Sequence, residues 1–156
     1  VEEGAAKMRA ALAARSDREF VIIGRTGAVG STGLDDALKR IAVYQETGVD
    51  GIFLSGLKTR AEVEACAKAC RLPLLLGAVP TGLFTQEEFS ALGVRAVITG
   101  HRPHAAGVKA TSDMLHLAKG GMPPKAPEDE SALMERLTRK DDYATWRKDF
   151  LTRGHE

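Results

Sequence analysis

At 156 residues, with 44% hydrophobic and 28% charged side chains, the chain has the make-up of one ordinary soluble globular protein, not a disordered segment. Lys and Arg number 22 against 21 Asp and Glu, a net charge of +1 with no basic stripe to neutralise a run of phosphates, so nucleic acid is excluded as a partner. No apolar stretch approaches the roughly 18 to 20 residues that span a bilayer, and Val1-Glu2-Glu3-Gly4 lacks the parts of a signal peptide. A cytoplasmic protein without a membrane partner is the expectation.

The first predicted element is a helix from Glu2 to Arg15, with Ala5, Met8 and Leu12 on one face. It feeds an apolar strand, Val21-Ile22-Ile23-Gly24-Arg25-Thr26, and a loop to Gly33 follows. Leu34, Leu38, Ile41 and Tyr44 then recur at helical spacing, and Gly48 is placed to end that helix in the left-handed conformation. A second strand runs over Gly51-Ile52-Phe53-Leu54-Ser55-Gly56. Thr59 with Glu62 forms a capping box that opens a helix through Ala69, a third strand covers Leu72 to Gly77, and Thr85 with Glu88 repeats the box before Phe89 and Leu92. Cys66 and Cys70, four apart on one helix face, are expected to be reduced thiols without a redox role.

The fourth strand, Ala96-Val97-Ile98-Thr99-Gly100-His101, empties into a loop and a helix from about Ala105 to Lys119. Gly120 to Pro127 holds three prolines and reads as a linker, because prolines remove donors and fix φ. It separates residues 1–119 from a helical extension at 128–156. There Ser131–Arg139 and Asp141–Arg153 read as two short helices, the second with Tyr143, Trp146 and Phe150 on one face.

Each strand ends on a polar or glycine-rich rim, the layout by which a parallel barrel presents functional groups. Four such units with helices on one side would leave the inward side chains in water and two strand edges unpaired. The predicted class is therefore α/β: half of a (β/α)8 TIM barrel plus C-terminal helices, with the other four strands supplied from elsewhere.

The segments Lys7-Met8-Arg9-Ala10-Ala11, Val21-Ile22-Ile23-Gly24-Arg25-Thr26-Gly27-Ala28 and Gly48-Val49-Asp50-Gly51-Ile52-Phe53 resemble the second half, strands five to eight, of the isocitrate lyase and phosphoenolpyruvate mutase superfamily. Val97-Ile98-Thr99-Gly100-His101, Lys109-Ala110-Thr111 and Asp142-Tyr143 bring the likeness nearest to its oxaloacetate decarboxylase branch. The resemblance implies a small α-keto acid substrate, Mg²⁺ held by acidic residues of the absent N-terminal half, and a homo-oligomer that exchanges its last barrel helix. No metal ligand is assigned within this sequence. The chain departs from the family pattern at Gly24, usually alanine, and at Gly27, usually acidic or amide. It departs again at Gly77-Ala78, where asparagine is common, and at Ser55, where lyases carry glutamate.

Decarboxylating a β-keto acid leaves a carbanion that needs an electron sink, which a chelated divalent ion supplies. Arg25 is suited to clamp a carboxylate with its two-pronged donor face, against the alternative of a salt bridge at the barrel mouth. Thr26 offers a substrate contact or a turn-stabilising hydroxyl, and Ser55 a substrate contact without the partners of a nucleophile. The resemblance places His101 beside the substrate, where an imidazole can donate a hydrogen bond or proton to an enolate. His104 and His116 read as ordinary loop and helix residues, and Gly24 to Gly30 match no nucleotide-binding pattern. Arg25 and His101 are thus the candidate catalytic residues, Arg25, Thr26, Ser55 and His101 the substrate contacts. The leading expectation is Mg²⁺-dependent decarboxylation of oxaloacetate or a relative. A carbon–carbon lyase of the methylisocitrate type and a non-catalytic assembly module are the competing readings.

Overall fold

The computed structural model describes residues 1–121 and 129–151. The chain divides into two compact units, Val1–Gly100 and a second that begins at His101. Most of the predicted linker, and the end of the predicted last helix, lie outside the described residues.

The first unit is built on a four-stranded parallel sheet in chain order, β1 (Ile23–Thr26), β2 (Gly51–Ser55), β3 (Leu74–Gly77) and β4 (Val94–Ile98). Its helices are α1 (Glu2–Ala14), α2 (Ala28–Ser31), α3 (Leu34–Gln45), α4 (Arg60–Ala69) and α5 (Gln86–Ala91). Both predicted capping boxes are present. Thr59 Oγ1 accepts the Glu62 N–H while Glu62 returns to the Thr59 N–H, and Thr85 and Glu88 do the same. Gly48 closes α3 at φ 95°, a conformation that a Cβ would strain. One element differs from the sequence reading: the loop after β1 contains the short helix α2. Its four residues carry no periodicity to reveal it, and it forms because the Thr26 hydroxyl accepts the Ala28 N–H at 3.2 Å.

Strand alternation separates two faces. Gly24, Thr26, Ile52, Leu54, Leu74 and Leu76 are buried, and the four aliphatic residues among them pack with Ala5, Ile41, Tyr44, Val63 and Cys66 of the helices into one core. Ile23, Arg25, Phe53, Ser55 and Leu75 alternate with them and are half-buried or exposed. The core therefore sits between the sheet and its helices. β4 buries only Val94, and Ile98 at its end is 50% exposed.

At the N-terminal ends of the strands, Asp50 Oδ2 accepts the Ile22 N–H at 2.7 Å and meets the Arg15 guanidinium at 2.8 Å. At α4 and α5, Arg60 donates to Glu88 at 2.7 Å and to the Leu83 carbonyl at 2.8 Å, and its guanidinium lies 4.0 Å above the Phe84 ring centroid. Cys66 and Cys70 are free thiols, and burial pushes the Cys66 thiol up to about 11, so it stays protonated at neutral pH.

The second unit contains α6 (Arg102–Ala118), α7 (Glu130–Leu137) and α8 (Lys140–Trp146), the last continuing as a π-helical turn over Arg147–Leu151. Its helix α6 starts three residues before the predicted Ala105, with Pro103 in its first turn, where a missing N–H costs nothing. Tyr143, Trp146 and Phe150 are exposed, and Arg139 lies 4.8 Å above the Trp146 ring. Among the described residues no helix is long and apolar enough to cross a membrane.

Candidate functional site at the strand ends

In a parallel sheet all strands deliver their C-terminal ends to one rim. Register pairs Arg25 with Phe53, Phe53 with Leu75 and Leu75 with Ala96, forming one layer across the face turned away from the helices. The next layer toward the rim is Ser55, Gly77 and Ile98. Arg25 and Ser55 thus stand in adjacent layers of one face, Arg25 on β1 and Ser55 on β2.

Arg25 has no hydrogen-bond or ion-pair partner among the described residues; its contact is with Phe53, whose ring centroid lies 5.6 Å from the guanidinium carbon. The salt bridge weighed as an alternative from the sequence is absent among them. Phe53 is the residue sequence reasoning missed. Both lie on the non-helical face near the end of their strands, and only the pairing of β1 with β2 joins them.

Ser55 is flanked by small residues. A Cβ at Gly27 would come 3.2 Å from Ser55 Oγ, and one at Gly77 would come 3.6 Å from Ser55 Cβ. The side chain that Gly27 lacks thus leaves the serine hydroxyl accessible. Thr26 faces the other way: it is buried with the helices, and its hydroxyl holds the Ala28 N–H, the turn contact. Gly24 also faces the helices, where a Cβ would meet Met8 Sδ at 3.0 Å. This departure accommodates α1 and leaves the rim unchanged. Ala78, just past β3, holds φ 54°, a left-handed conformation for a residue with a Cβ, and donates its N–H to Ile98 O at 2.8 Å.

His101 opens the second unit as the N-cap residue of α6, and its side chain makes no capping bond. Within that unit it lines a groove of about 860 Å³ with His104, Lys109 and Asp129. Lys109 pairs with Asp113 at 2.8 Å. Among the described residues no three His, Cys, Asp or Glu side chains come together to hold a metal ion. The inner face near the rim, with Arg25, Ser55, Gly77 and Ile98, offers no carboxylate, so these residues do not fit a Mg²⁺ site.

A parallel sheet in chain order, with helices on one face and polar groups at the C-terminal rim, defines the class as an α/β protein. The sequence profile of phosphoenolpyruvate phosphomutase matches residues 1–118, and the chain belongs to that family. It is 47% identical over 126 residues to an oxaloacetate decarboxylase of Bradyrhizobium diazoefficiens, with 81% of this chain and 44% of the relative covered. An oxaloacetate decarboxylase of Rhodopseudomonas palustris is 43% identical over 152 residues, with 96% of this chain and 53% of the relative covered. The solved structure of an oxaloacetate acetylhydrolase in complex with the product oxalate superposes with a TM-score of 0.61 at 25% identity, over 92% of this chain and 54% of that one. The chain spans about half the length of the curated relatives it matches.

Proposed function

We propose that this chain supplies strands five to eight of a (β/α)8 barrel that decarboxylates oxaloacetate or a closely related α-keto acid. One observation carries the reading: Arg25 presents an exposed guanidinium, without a carboxylate partner among the described residues, on the sheet face away from the helices. A cation in that position is suited to an anionic substrate. The named activities of the curated relatives support oxaloacetate as that substrate.

In this reading Arg25 binds and orients a substrate carboxylate. When the bond between C3 and C4 breaks, its electron pair moves toward the C2 oxygen and CO₂ departs. Guanidinium charge beside the resulting enolate lowers the barrier. Ser55 contributes a hydroxyl to the substrate, and Thr26 supports the loop from beneath. His101 is the hydrogen-bond or proton donor to the enolate, an assignment resting on imidazole chemistry and the family likeness. Mg²⁺ dependence is part of the proposal, with its ligands on parts of the barrel other than this sequence. The exposed Tyr143, Trp146 and Phe150 suit burial against another subunit, which supports a homo-oligomer joined through its C-terminal helices.

The test joins this chain to the part of the Rhodopseudomonas palustris relative that it does not match. Oxaloacetate is then assayed for pyruvate and CO₂ with and without Mg²⁺. The fusion is expected to turn over only with the metal, and the 156-residue chain alone to be inactive. A folded fusion that leaves oxaloacetate intact overturns the proposal. Oxalate and acetate as products would move it to hydrolytic cleavage of the C2–C3 bond instead.

A further inference from the structure

We infer that Phe53 is the positioning residue for Arg25, and that Gly77 is a glycine because the Phe53 ring needs its space. The inference rests on the reading of Arg25 as the carboxylate clamp. An arginine can be held in place by a carboxylate, but that partner occupies the N–H groups a substrate would use. An aromatic face attracts the cation through its quadrupole and leaves the edge N–H donors free. Arg25 is in the second situation: its guanidinium carbon lies 5.6 Å from the Phe53 centroid.

The ring is itself fixed from the neighbouring strand. A Cβ at Gly77 would come 2.7 Å from Phe53 Cζ and 3.1 Å from Cε1, so any other residue at 77 displaces the ring. Gly77 does not have positive φ, so the requirement is space and not backbone conformation. Gly77, Phe53 and Arg25 thus form a relay across three adjacent strands, with β3 setting where the charge on β1 sits.

Two measurements test this. In the 156-residue chain, the Arg25 Nε–H proton resonance is expected to be shifted upfield by the ring. Phe53→Leu and Gly77→Ala should both remove that shift, and Phe53→Tyr should keep it. A resonance that none of these changes moves overturns the inference. In the fusion described above, Phe53→Leu should lower kcat/KM about fivefold, mainly through KM, with Phe53→Tyr near the parent value. In an Arg25→Ala background Phe53→Leu should have no further effect, whereas additive losses overturn the inference. If the fusion is silent on oxaloacetate, the functional reading falls, and the Arg25 resonance still decides whether Phe53 and Gly77 place the guanidinium.

Discussion

Asp50 and Arg15 join the ends of two elements: the Asp50 carboxylate meets the Arg15 guanidinium at 2.8 Å and accepts the Ile22 N–H at 2.7 Å. One side chain at the start of β2 therefore fixes both the exit of α1 and the approach to β1. The Ile22 N–H and then the arginine hold the Asp50 carboxyl below its ordinary value. A lowered folded pKa contributes stability in full above the unfolded value near 3.9, and the contribution is lost as pH falls through the lower folded value. Asp50→Asn should cost about 1 kcal/mol at pH 7, the scale of a partly exposed pair. Urea unfolding at pH 7 and pH 3 checks this: the penalty should shrink at the lower pH.

Substitutions at Gly24 and Gly56 should differ sharply. A Cβ at Gly24 meets the flexible end of Met8, at 3.0 Å from Sδ. Gly24→Ala is expected to stay within about 1 kcal/mol of the parent, because methionine shifts readily. Gly56 holds φ 88°, and a Cβ there would lie 2.9 Å from the Gly30 backbone nitrogen. Gly56→Ala should cost about 2 kcal/mol or more. Denaturant midpoints of the two variants measure the contrast.

Ala78 carries a strain that glycine would relieve. Its φ of 54° costs an L-residue about 1 kcal/mol, while glycine returns part of the gain through a freer unfolded chain. Ala78→Gly should raise the thermal midpoint slightly, and Ala78→Val should lower it. Calorimetry of the three proteins is sufficient.

For activity, Arg25→Ala in the fusion should raise KM and lower kcat together, a loss on the order of 100-fold in kcat/KM. Arg25→Lys should recover only part, since an ammonium lacks the two-pronged donor edge. Steady-state kinetics on oxaloacetate give the answer.

Much of the first unit was readable because its signals are local. Thr59 with Glu62, and Thr85 with Glu88, announce their helices within four residues, and each predicted strand contains the observed one or most of it. The α2 turn escaped, since its four residues carry no periodicity and the approach of Gly30 to Gly56 is made in three dimensions. At the site, Arg25 was visible as a charge ending an apolar run. The ring beneath it was not, because Phe53 lies 28 positions away and only strand register joins the two. Gly24 stood out in the sequence only as a departure from the family's alanine, and the face it takes was hidden for the same reason. Alternation turns it toward Met8, a fact that depends on where the strand begins.

The near-contact of Gly30 with Gly56 has a consequence for how this sequence can vary. A Cβ on Gly56 would press into the Gly30 backbone, 2.9 Å from its nitrogen, whereas one on Gly30 would reach Gly56 Cα at 3.4 Å, an ordinary contact distance. Gly56 is therefore not free to drift, and a change there cannot be compensated by shrinking a neighbour that already has no side chain. A mutational scan would find an intolerant site at Gly56 facing a more permissive one at Gly30, 26 positions away.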